Sequence, residues 1–87
     1  MKVNKDFMLC EIAGENVVVP YGDSAAKFHG MLRLNGTGTA LWKMLETGAE
    51  ETELVRMLMD EYGADESVAK ADPAEFLEKL RKIGCLE

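Results

Sequence analysis

The stretch Gly30-Met31-Leu32-Arg33-Leu34-Asn35-Gly36-Thr37-Gly38-Thr39-Ala40-Leu41-Trp42-Lys43-Met44-Leu45-Glu46 decides the fold, because an extended apolar segment ends in it and an amphipathic helix begins. Two local signals compete at Asn35-Gly36. Asn-Gly between apolar runs marks a hairpin, while Asn is also a preferred helix N-cap, since its side-chain oxygen can accept a free N–H of the first turn. The residues downstream separate the two. Ala40, Leu41, Met44 and Leu45, with Trp42 beside them, fall at helical spacing, whereas a strand would set Leu41 and Lys43 against Trp42 and Met44 without a polar face. The spacing predicts a helix capped by Asn35, running to about Thr47 and ended by Gly48.

Upstream the chain reads as strand and turn. Phe7 to Ile12 is apolar on both alternate sets, which predicts a strand covered on much of both faces. Ala13-Gly14-Glu15-Asn16 is turn material, and Val17-Val18-Val19 is a β-branched strand stopped by Pro20, so the two strands form a hairpin. Phe28 to Leu34 alternates Phe28, Gly30, Leu32 and Leu34 with His29, Met31 and Arg33, a third strand with an apolar inner face. Downstream, Leu54, Val55, Leu58, Met59 and Tyr62 mark a helix from about Glu50 to Gly63. Asp65 can cap a further helical turn. Asp72-Pro73-Ala74-Glu75 is a start signal for the last helix, with Phe76, Leu77, Leu80 and Ile83 as its stripe and Gly84 as its end. A continuous helix through Pro73 would lose about 3 kcal/mol, so a break or kink is expected there. The architecture is a single α+β domain over residues 1–87, a three-stranded antiparallel sheet followed by three helices.

Composition narrows the function. The 87 residues are 47% hydrophobic and 30% charged, a balance that suits one modest globular core and leaves little room for a large enclosed active site. The chain has no apolar run near the roughly 20 residues that span a bilayer and no signal-peptide layout, which makes the cytoplasm the expected location. Two cysteines and one histidine are too few for a zinc site of four such ligands, and free thiols are expected. The net charge of −6 is unevenly spread: residues 1–45 sum to +1, residues 46–78 to −9 and residues 79–87 to +2. An acidic second half opposes a nucleic-acid footprint, which needs lysine and arginine to release counterions. Gly36-Thr37-Gly38 lacks the lysine of a phosphate loop, and nothing pairs His29 with a cysteine nucleophile. Glu50, Glu51 and Glu53 are explained by the positive end of the helix dipole. Trp42 is expected in the core with its N–H satisfied. No catalytic residue, metal site or cofactor is expected.

One resemblance covers nearly the whole chain. Ile12-Ala13-Gly14-Glu15, Val19-Pro20, Gly30-Met31-Leu32-Arg33-Leu34-Asn35, Gly38, Trp42, Leu45-Glu46, Leu54-Val55, Leu58, Glu61-Tyr62, Asp72, Phe76-Leu77, Leu80 and Gly84 stand in the order seen in the PqqD family of peptide-binding domains, which this sequence resembles. The resemblance implies a winged helix-turn-helix fold. It also implies a function, in which the leader segment of a ribosomally made precursor peptide is bound as an added strand beside the third strand and presented to a maturase such as a radical-SAM enzyme. Gly36, Glu50 and Pro73 depart from the family pattern. The Tyr-Pro-Glu type segment of members serving pyrroloquinoline quinone synthesis is not matched either, so the pathway is that one or another peptide-modifying one.

Carried onto this chain, the peptide edge is Gly30, Met31, Leu32 and Arg33, where Gly30 admits a close backbone and Met31 offers a soft apolar contact. The groove wall is Phe76, Lys79, Leu80 and Ile83 on the last helix, with Phe76 and Leu80 nearest the peptide and Lys79 in a basic rim. The alternatives are a winged-helix DNA binder and a scaffold that docks its apolar third-strand face on a second copy, as a homodimer, or on an enzyme.

Overall fold

The computed structural model describes residues 1–22 and 32–87. Ala13 and Gly14 take φ angles of 53° and 81°, and two successive left-handed residues give the reverse twist that closes a two-residue hairpin. The turn is therefore tighter than the sequence suggests: Glu15 and Asn16 already belong to the second strand. β1 (Phe7–Ile12) pairs antiparallel with β2 (Glu15–Pro20), from Phe7 opposite Pro20 to Ile12 opposite Glu15. β3 (Leu32–Leu34) pairs antiparallel with the other edge of β2, placing Leu32 opposite Val18 and Leu34 opposite Asn16. The order is β1-β2-β3. The expected first half of the third strand, Phe28 to Met31, lies outside the described residues.

Side-chain alternation splits the sheet into two faces. Phe7, Leu9, Val18, Leu32 and Leu34 share the face that joins the core. Met8, Cys10 and Ile12 share the other, and there the expectation of a strand covered on much of both faces fails at the two ends: Met8 is 47% and Ile12 48% exposed. That face is covered only at its centre, where Cys10 is half-buried opposite the buried Val17. Apolar pattern alone cannot tell a two-sided strand from one whose second face lies open in part.

Three helices follow. α1 (Gly36–Thr47) starts at the Asn35 cap. α2 (Glu51–Tyr62) starts at Glu50, whose N–H donates to Glu53 Oε1 at 3.0 Å. Glu53 thus satisfies the Glu50 N–H, the half of a capping box that the third helical residue supplies. α2 ends at Gly63 with φ 63°, and the Ala64 N–H returns to the Leu58 carbonyl at 3.1 Å. α3 (Glu66–Ile83) is one helix of 18 residues.

Pro73 lies inside α3 and is buried, which corrects the expected start at Asp72. The reason is packing. Ala69, Pro73, Leu77 and Leu80 are all buried at intervals of four, four and three residues, a single helical stripe facing the core. Burial along this stripe holds the helix through a residue that cannot donate to the Ala69 carbonyl.

The core forms where the inner sheet face meets the three helices, around Trp42, Leu45, Leu54, Leu58, Leu77 and Leu80, all at most 2% exposed. Trp42 is in the core as expected, but its Nε1 has no hydrogen-bond partner among the described residues. Residues 1–4 bind two distant parts of the chain. The Val3 N–H donates to the Leu45 carbonyl at 3.0 Å, and Val3 also bridges to Leu86. Among the described residues no helix is long and apolar enough to cross a membrane.

Candidate functional site

β3 uses one edge to pair with β2, and its other edge has no strand partner among the described residues. Such an edge presents N–H and C=O groups that another extended chain can pair with. The strand runs directly into α1 at Asn35. The Asn35 Oδ1 accepts the Gly38 N–H at 2.7 Å and the Thr37 Oγ1 hydroxyl at 3.0 Å, and the Asn35 carbonyl accepts the Thr39 N–H at 2.9 Å. A Cβ on Gly38 would stand 3.1 Å from that Oδ1 and 3.6 Å from Leu34 Cβ, so the missing side chain is what lets the cap close over the strand end.

At this junction lies a groove of about 200 Å³, lined by Asn35, Thr37, Gly38 and Leu41 from one side and by Asp72, Glu75, Phe76 and Lys79 of α3 from the other. The volume falls below the roughly 300 Å³ at which enclosed small-molecule sites begin, and it suits side chains of an extended peptide better than an engulfed ligand. On α3 the groove residues lie one step around the helix from the buried stripe. Phe76 joins the two, half-buried against the core and open to the groove.

The residues expected from the sequence separate into groups. Leu32 and Arg33 are on the β3 edge strand, facing opposite sides of the sheet: Leu32 packs against the core, while Arg33 is exposed and ion-paired with Glu15 at 3.7 Å. Phe76 and Lys79 line the groove. Leu80 does not belong there. It is 0% exposed, and the α3 stripe gives it to the core, so its expected place beside the peptide is corrected. Ile83 is half-buried against the core at the end of α3 and is not among the residues lining the groove. Gly30 and Met31 lie outside the described residues. Sequence reading missed Asn35, Thr37, Gly38, Leu41, Asp72 and Glu75 as groove residues. For Asp72 the signal was present, since it stands four residues before Phe76 and seven before Lys79 on one helix face.

Among the described residues no three His, Cys, Asp or Glu side chains gather as a metal site. Cys85 is buried, and burial raises its thiol to about 11, which keeps it protonated and a poor nucleophile at neutral pH.

The family model for coenzyme PQQ synthesis protein D (PqqD) matches residues 15–86. The chain belongs to the PqqD family. Two solved structures share the fold of this PqqD-family chain. TbiB1 in complex with the TbiA(beta) leader peptide is 25% identical, with a TM-score of 0.79 over 100% of this chain and 95% of that one. Lasso peptide synthetase B1 complexed with the leader peptide is 19% identical, with a TM-score of 0.76 over 97% of this chain and 93% of that one. Among curated proteins nothing matches significantly.

Proposed function

We propose that this PqqD-family protein binds the leader segment of a ribosomally made precursor peptide and presents it to a modifying enzyme, for which a radical-SAM maturase is the leading class. The leader adds as a strand to the edge of β3 that faces away from β2, and its alternate side chains enter the groove between α1 and α3. Backbone pairing supplies reach independent of sequence, and the groove supplies choice. The observation that carries this reading is that β3, whose second edge has no strand partner among the described residues, runs directly into Asn35 at the mouth of a groove walled by α3, in a fold shared with two leader-peptide complexes. The function is that of a binding adaptor, acting in the cytoplasm, and the product is a modified peptide, of which pyrroloquinoline quinone is one candidate.

Chemical-shift mapping with the precursor peptide encoded beside this chain tests the proposal. The amides of Leu32 to Leu34 and the resonances of Phe76 and Lys79 move on titration. Shifts confined to the exposed face of α2 would overturn it.

A further inference from the structure

Asp72, Phe76 and Lys79 stand at i, i+4 and i+7 on α3 and line the same groove. They form a stripe that is negative, then apolar, then positive, and Glu75 adds a second carboxylate on the same wall. Along the helix axis the two steps between them rise by about 6 Å and about 4.5 Å. Side chains on one face of an extended peptide recur about every 6.6 Å. The first step matches one same-face repeat of a strand lying along this wall, and the second falls about 2 Å short, a gap that the long Lys79 side chain spans.

A second observation is that these exposed charges are not paired within the protein among the described residues. Elsewhere on α3, Glu66 pairs with Lys70 at 2.8 Å and Glu78 with Arg81 at 3.8 Å. Glu75 and Lys79 have the same i, i+4 spacing and the favourable order, with Glu first. Yet neither they nor Asp72 has an ion-pair partner among the described residues. A ligand charge at these positions meets an opposite charge without first breaking a pair.

Resting on the leader-binding reading above, we propose that the groove selects a peptide segment by charge order. The segment carries an apolar side chain over Phe76, a basic side chain toward Asp72 and Glu75, and an acidic side chain toward Lys79, at alternate positions of the strand. Opposite charges in register attract, and the reversed order places like charges against each other at both ends, which is where discrimination is strongest.

The test uses an array of capped peptides with a fixed Ile and with Lys, Ala or Glu at the positions two before and two after it, read by retention of the full-length protein at low salt. The expected result is that one order, Lys-x-Ile-x-Glu or Glu-x-Ile-x-Lys, is retained roughly tenfold better than its reverse, and that the preference fades as salt rises. The triple variant Asp72→Lys, Glu75→Lys, Lys79→Glu inverts the preferred order. Since all three side chains are exposed, this variant keeps the wild-type circular dichroism spectrum. Retention that ignores charge order, or a triple variant with unchanged preference, would overturn charge selection while leaving leader binding intact. Retention of no peptide by either protein would overturn the leader-binding reading and this inference together.

Discussion

The Asn35 side-chain oxygen stands 2.7 Å from the Gly38 nitrogen, and this bond joins the end of β3 to the first turn of α1, which lines one side of the groove. Replacing Asn35 with Ala removes the cap and costs about 1 kcal/mol, which lowers Tm by roughly 4–8 °C in a domain of this size. In a Gly38→Ala background the new Cβ crowds the same oxygen, so the added loss from Asn35→Ala shrinks. Thermal melts of the two single variants and the double variant measure that coupling, and additive losses would show that the two residues act independently.

Phe76 and Leu80 are neighbours on α3 with different duties, so their variants should fail differently. Leu80→Ala opens a cavity in the core and costs about 2–5 kcal/mol by urea denaturation. Phe76→Asp leaves the fold cooperative, because the side chain is only half-buried, and abolishes leader binding. A Phe76→Asp protein that is unfolded would make Phe76 a core residue.

Pro73 holds no N–H for the Ala69 carbonyl. Pro73→Ala restores that bond and a residue suited to a helix interior, a gain of about 3 kcal/mol, against roughly 1–2 kcal/mol lost with the buried ring. The variant is expected to be more stable by about 1–2 kcal/mol. A fall in the urea midpoint would mean that the ring's packing outweighs the missing bond.

Ala13 sits at φ 53° in the first hairpin, a region that costs a residue with a Cβ roughly 1 kcal/mol or more. Ala13→Gly relieves that strain and Ala13→Asn tolerates it better, so each raises Tm by a few degrees, Asn more clearly because it adds less unfolded-state freedom. Unchanged melting in both would mean that the turn relaxes without strain.

Cys85 links stability to alkaline pH. Its thiol ionises near 9.0 in the unfolded chain and at about 11 in the fold. Between those values the unfolded state has released a proton that the native state keeps, so stability is complete below pH 9 and falls as pH rises toward 11. Cys85→Ala flattens that part of the pH profile, although it also loses core packing. In a disulfide-exchange titration at neutral pH, the half-buried Cys10 reacts first and Cys85 only on unfolding.

Local chemistry was enough for much of this molecule. Asn35 as a cap, the helix from Gly36 to Thr47, Gly63 and Gly84 as stops, and the hairpin around Ala13-Gly14 follow from side-chain hydrogen bonding, left-handed backbone preference and apolar periodicity, all of which act within a few residues. The order of residues from Ile12 to Gly84 was enough for the family.

Tertiary packing decided the rest. Asp72-Pro73 carries a start signal that the local rules read correctly in isolation, yet the stripe from Ala69 to Leu80 buries on a core assembled from the distant sheet, and that burial carries the helix through the proline. The same core claims Leu80 and leaves Phe76 shared with the groove. A helix of known period shows which residues share a face. Only the position of its neighbours shows which face meets the core and which faces the groove, because burial is set by contacts between segments far apart in the chain.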